Sequence, residues 1–213
     1  MPHRDAPRAP VFNAMPPAVL LLAGLILGTA LLSYLSPELD RWIFATCVLI
    51  VAAPDTPLPA QPLGHAAPYL LHVFIHFGLL HLAMNMAVLI GAGRAVGLAF
   101  GTGLKAFAGF MILFFACSAA GAGLEYALHS GPPLQLGGAS TGVSGLIAAA
   151  GWVMGGWRSM LRLALPWIGL NLVIAVTGLA FPIPISWAGH IGGTLAGIVL
   201  TPVLIAVFGR RAL

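Results

Sequence analysis

Charge is what this sequence has least of. Only 7% of its 213 residues are charged, nine Lys and Arg against five Asp and Glu, where a water-facing domain carries about 25%. Hydrophobic residues make up 60% and the mean hydropathy is +1.01. So few charges cannot solvate a surface of this size. A soluble enzyme, a disordered regulator and a nucleic-acid binder are therefore excluded. The isoelectric point near 9.7 does not bring the last one back, because nine basic residues make no patch. They read instead as orientation signals at the edges of a membrane.

Cysteine is equally scarce. Cys47 and Cys117 lie in apolar stretches with no CxxC or zinc-ligand spacing, which leaves buried free thiols. Two further absences bear on chemistry. No His-Glu-x-x-His is present, so the zinc site of an intramembrane metalloprotease is missing. No apolar stretch contains an Asp, which excludes a paired-aspartate protease. His72, His76 and His81 have no nearby carboxylate or thiol to complete a metal site, so neither metal nor cofactor is implied. The opening MPHRDAPRAPVFNAMPP is too long and proline-rich for a signal-peptide n-region, and no A-x-A-like cleavage site follows promptly. The first apolar run is expected to be a retained anchor.

Long apolar runs are what the chain has in abundance. A spanning helix needs about 20 apolar residues to cross a core of ~30 Å. Stretches near 18–35, 79–98, 106–128, 140–157, 161–181 and 187–208 fit. They predict an all-α polytopic membrane protein with six transmembrane helices. The apolar piece 42–53 is too short to span and is expected to be interfacial or re-entrant, and Pro54, Pro57, Pro59 and Pro62 stop any helix beyond it. The domain plan is a cytoplasmic tail over 1–17, one transmembrane domain over 18–208 with a long outer loop at 36–78, and a cytoplasmic tail over 209–213. With the N-terminus inside, Arg4, Arg8, Arg94, Lys105, Arg158, Arg162, Arg210 and Arg211 all face the cytoplasm, and of the nine basic residues only Arg41 falls outside. That is the positive-inside pattern.

Polar side chains inside spans are costly and carry functional hypotheses. The second span delivers His81 and Asn85, four apart on one helical face. The fourth opens with Ser140 and, one turn deeper, Ser144, and the sixth carries His190 near its outer end. A serine, a histidine and two oxyanion-type donors at one depth are the parts of a serine hydrolase. With no intramembrane Asp or Glu to orient His190, a dyad is expected rather than a triad. Gly142-Val143-Ser144-Gly145 makes Ser144 a competing nucleophile. Gly189, Gly193 and Gly197 form a small-xxx-small ridge, and Ser140, Ser144 and Ala148 are expected to form its matching stripe.

Three ordered motifs resemble the rhomboid intramembrane serine proteases over about Leu71 to Leu200. His76-x4-His81-x3-Asn85 looks like the family's second-helix motif. Gly138-Ala139-Ser140-Thr141, continuing to Gly145-Leu146, looks like its serine motif, and Gly189-His190-Ile191-Gly192-Gly193 like its sixth-helix motif. The resemblance implies a rhomboid-like bundle in which Ser140 is the nucleophile and His190 the general base. His81, Asn85 and the Ser140 N–H would hold the oxyanion. It also implies transmembrane protein substrates, cut near the outer face of what is expected to be a bacterial inner membrane. Five positions depart from the pattern. Thr141 replaces a Gly, Ser144 an aromatic that packs on the histidine, Ala67-Pro68 a Trp-Arg pair and Gly97 a Glu. A catalytically inactive rhomboid-like binder would lack the serine or the histidine. A small-solute transporter, the other alternative, often carries internal repeats, and none is visible between the two halves.

Overall fold

The computed structural model describes residues 15–177 and 185–209. Arg4, Arg8, Arg210 and Arg211, and the end of the expected fifth span at 178–181, lie outside them. Helix α1 (Pro17–Leu35) starts with proline at its first position, where the missing N–H is no loss. It buries Val19, Leu22 and Ile26 and turns Leu20, Leu25 and Leu31 outward. Helix α2 (Pro37–Cys47) is capped by Ser36, whose Oγ accepts from Leu39 N–H, and carries Glu38 and Asp40 in its first turn, where the helix dipole favours acids. Eleven residues are too few to span, so this helix belongs to the loop. Cys47 and Cys117 are free and buried. Burial pushes the Cys47 thiol above its ordinary pKa, which keeps it protonated and unreactive.

The apolar piece 42–53 is not one interfacial or re-entrant segment. It is divided between the end of α2 and strand β1 (Leu49–Val51). The strand pairs antiparallel with β2 (Leu134–Leu136), Leu49 opposite Leu136 and Val51 opposite Leu134. This pairing anchors the long loop to the segment that leads into Ser140. A short α3 (Pro68–Leu71) and a 3-10 turn (His72–Phe74) complete the loop. Helices α4 (Leu79–Phe100), α5 (Gly103–Leu128), α6 (Ser140–Thr177) and α7 (Trp187–Phe208) follow. With α1, they give, among the described residues, five helices long and apolar enough to cross a membrane.

The count is five because α6 holds two expected spans in one element. Its 38 residues would reach roughly 57 Å if straight, yet Trp167 Nε1–H donates to Ser144 Oγ at 3.0 Å. In a straight helix those residues would stand roughly 35 Å apart. The chain reverses at Gly155 and Gly156, which leave helical geometry. Gly156 takes φ +63°, a conformation open to glycine at little cost. Its two halves, 140–154 and 157–177, are antiparallel neighbours. Ala148 in the first packs with Met160 and Ala164 in the second.

Helix α7 is held between α5 and α6 by glycine. A Cβ on Gly193 would stand 2.0 Å from the Thr141 carbonyl oxygen, and one on Gly197 2.4 Å from that of Gly145. On another side a Gly192 Cβ would meet the Ala120 carbonyl oxygen of α5 at 2.9 Å. The ridge expected from Gly189, Gly193 and Gly197 is therefore present, but its partners are Thr141 and Gly145. Ser140 and Ser144 sit one residue round the helix, about 100° away.

Candidate active site

Strand β2 ends two residues before Gly138, whose φ of +123° favours glycine. Gly138 N–H donates to the His72 carbonyl at 2.9 Å, which fixes the turn that delivers Ser140 as the first residue of α6. Thr141 anchors the same point. His72 Nδ1 faces the Pro68 carbonyl and Nε2 faces Thr141 Oγ1, both at 3.0 Å. A carbonyl only accepts, so Nδ1 carries the proton and the Thr141 hydroxyl donates to Nε2. Burial lowers His72 to about pKa 4, which keeps that neutral tautomer at neutral pH.

The two serines differ sharply. Ser140 is half-buried, and among the described residues its Oγ makes no hydrogen bond. Ser144 is fully buried. Its hydroxyl donates to the Ser140 carbonyl at 2.6 Å and accepts from the Trp167 indole at 3.0 Å. Ser144 Oγ is thus committed on both sides, and Ser140 Oγ is free.

His81 and Asn85 rise from the first turns of α4. Phe77 N–H donates to His81 Nδ1 at 3.3 Å, which puts the proton of a neutral ring on Nε2. That Nε2 lies 2.7 Å from the point a Gly138 Cβ would occupy, and Ser140 Oγ lies 3.7 Å from the same point. A donor from α4 and the free hydroxyl of α6 therefore flank Gly138. Asn85 is 3% exposed, and its Nδ2 donates to the His81 carbonyl at 2.9 Å, which uses one of its two amide hydrogens. His76 stands behind them. Its ring lies 5.1 Å from that of His81, and burial, with His81 beside it, lowers it to about pKa 4.

His190 enters from the first turn of α7, between Gly189 and Gly193, both of which pack on Thr141. Sequence reasoning found no group to orient it; the structure supplies two. Asn171 Oδ1 stands 2.9 Å from His190 Nδ1, and the Trp167 ring lies 5.5 Å from the imidazole at 30°. Trp167 covers the histidine where the family's serine motif would place an aromatic at position 144. Both side chains come from the second half of α6, four apart on one face. Ser140 and His190 share this end of the bundle but form no direct hydrogen bond; such bonds often tighten only when substrate binds. Glu125 lies near the end of α5. It is buried and accepts from Ser186 Oγ at 2.5 Å and Gly189 N–H at 3.0 Å, fastening the start of α7 to α5.

The family model described as the Rhomboid domain matches residues 64–207, which include His81, Asn85, Ser140 and His190. The chain is also similar to the rhomboid protease GluP of Bacillus subtilis (strain 168), 28% identical over 149 residues. That alignment takes in 66% of this chain and 27% of GluP, so the chain spans well under half of that relative. Apolar helices of spanning length and a family match over most of the sequence identify an integral membrane protein that belongs to the rhomboid family.

Proposed function

We propose that this protein is an intramembrane serine endopeptidase that cuts transmembrane segments of other membrane proteins near the outer face. The observation that carries the reading is the unengaged Ser140 hydroxyl at the head of α6. It stands beside the proton-bearing Nε2 of His81 and at the same end as His190. Ser140 rather than Ser144 is the nucleophile, because Ser144 Oγ is already bonded on both sides.

In the first step His190 Nε2 takes the hydroxyl proton as Ser140 Oγ attacks the scissile carbonyl. The new oxyanion accepts from His81 Nε2–H, from the second amide hydrogen of Asn85 and from Ser140 N–H, which as the first N–H of α6 has no acceptor within its helix. As the C–N bond breaks, His190 returns the proton to the leaving amine, and water then hydrolyses the acyl-enzyme. A helical substrate carbonyl is hydrogen-bonded and shielded, so the substrate must unwind locally. Small, helix-weakening residues near its outer end favour that.

We read α1, α4, α5, both halves of α6 and α7 as six spans in a bacterial inner membrane, with both termini cytoplasmic. In protein lacking Cys47 and Cys117, single cysteines placed at 129–136 should react with impermeant reagents from outside, and those at 101–103 and 158–162 only from the cytoplasm. Reaction of 129–136 from the cytoplasm would reverse the orientation.

The chemistry is tested by exposing purified protein to a fluorophosphonate and mapping the labelled residue by mass spectrometry. Ser140 is expected to carry the label; an unlabelled protein would leave the binder or transporter reading. The oxyanion site has its own test. Losing one such donor costs on the order of 10²–10³-fold in kcat, so Asn85→Ala should lower kcat by at least ~10-fold while His81 and the backbone compensate in part. KM should stay near wild type, since the bond forms as the oxyanion does. Unchanged kcat in both Asn85→Ala and His81→Ala would make these residues structural.

A further inference from the structure

We infer that Asn171 is a positioning residue for His190, fixing which ring nitrogen carries the proton while Ser140 and His190 remain the reacting pair. The inference rests on the protease reading above and adds a third member from the second half of α6. It starts from the Asn171 amide, which is 1% exposed and held at both ends. Its Nδ2 donates to the Trp167 carbonyl at 2.8 Å. A carbonyl oxygen cannot donate, so flipping the amide would set two acceptors against each other. The orientation is therefore chemically determined, with Oδ1 turned toward His190.

Oδ1 is itself only an acceptor, and His190 Nδ1 stands 2.9 Å from it. The Nδ1 position must then carry a proton. In a neutral imidazole that leaves Nε2 with its lone pair, and Nε2 has no hydrogen-bond partner among the described residues. This is the nitrogen a general base needs open toward the serine. When Nε2 takes the Ser140 proton, the ring becomes a cation with both nitrogens protonated. Nδ1–H stays on Asn171 Oδ1, whose dipole then faces that charge. No proton passes to Asn171.

Trp167 strengthens the same restraint. Its carbonyl orients the amide, its ring covers one face of the imidazole, and its indole N–H is tied through Ser144 to the Ser140 carbonyl. The nucleophile's own backbone and the support of its base are thus joined by two hydrogen bonds in series, the second of which crosses the α6 hairpin. His190 is 8% exposed, so few water molecules are at hand to replace a lost partner at Nδ1.

The test compares Asn171→Ala, Asn171→Leu and Asn171→Asp with wild type, per folded protein, by kcat, KM and the rate of fluorophosphonate labelling at Ser140. Small losses of alignment can cost about 10²-fold. Ala and Leu should therefore lower kcat and labelling by about 10²-fold with KM within about 2-fold of wild type. Asp keeps an acceptor for Nδ1–H but sets an oxygen against the Trp167 carbonyl. It should melt lower than Leu yet recover most of the rate. Activity that follows melting temperature instead of the acceptor, or wild-type rates in Ala and Leu, would overturn the inference. A wild type whose Ser140 takes no label would overturn the protease reading and this one together; a labelled wild type with unimpaired variants would overturn this one alone. A separate check needs no Asn171 variant. In 15N-histidine-labelled protein, the resonance lost in His190→Gln should report a proton on Nδ1, and a proton on Nε2 would refute the assignment.

Discussion

Ser140→Ala should abolish both fluorophosphonate labelling and cleavage of a model transmembrane substrate, while the protein melts within a degree or two of wild type. Loss of a serine nucleophile in a hydrolase site costs on the order of 10⁴–10⁶-fold. Stability is spared because Ser140 Oγ has no partner to strand among the described residues and the side chain is only half-buried. Ser144→Ala should do the opposite. It removes the acceptor of the Trp167 indole and frees the Ser140 carbonyl, and an unsatisfied buried donor costs about 1–3 kcal/mol. That variant should melt lower and keep part of its activity, because Ser140 itself is untouched. Full activity in Ser140→Ala with none in Ser144→Ala would move the nucleophile to Ser144. Activity in both would end the serine-protease reading.

The second large effect comes from a single methyl group. Gly193→Ala places a Cβ 2.0 Å from the Thr141 carbonyl oxygen, well inside van der Waals contact. The obstacle is backbone in the first turn of α6, so no side chain can swing aside. Relief requires α6 and α7 to separate, which also moves His190 away from Ser140. Overpacking of this kind typically costs about 1–3 kcal/mol and sometimes more, and here the upper end is expected. Melting in detergent should fall by several degrees or more, and cleavage should drop to near background. Gly91→Ala in α4 is the matched control, since its Cβ would meet nothing within 4 Å. There the better helix propensity of alanine should leave stability unchanged or improve it by up to ~1 kcal/mol. If Gly193→Ala melts like Gly91→Ala, the close approach of the two helices is not what holds the site.

Hydropathy made most of the bundle legible, because lipid imposes one rule on every span: about 20 apolar residues with backbone bonds satisfied within the helix. The starts of α4, α6 and α7 at Leu79, Ser140 and Trp187 coincide with the first residues of three apolar runs. The piece 42–53 was not legible, since its strand owes its existence to a partner at 134–136, far along the chain. Composition carries no trace of such a partner. The matching stripe for the α7 glycines was misplaced by one residue for a similar reason. Small size alone does not say which small residues face a helix and which, like Ser144, are turned toward an indole. Asn171 was the avoidable omission. An amide in the apolar run Leu170–Val176 is conspicuous by the rule that polar groups in spans need partners. It stood outside every motif, however, and its meaning depends on a carbonyl four residues back and a histidine on another helix.

The α6 hairpin also sets an order of events in time. A ribosome makes Ser140 first, then Trp167 and Asn171, and His190 only after them, at about 5–20 residues per second. Once both halves of α6 are in place, the Ser144–Trp167 bond closes a local loop, at modest entropic cost. The side chains that receive the imidazole are thus made before the imidazole itself. Until α7 inserts and is fastened by Glu125, the proposed nucleophile has no base. A growing or truncated chain ending before residue 190 would be chemically silent while other nascent proteins enter the same membrane beside it.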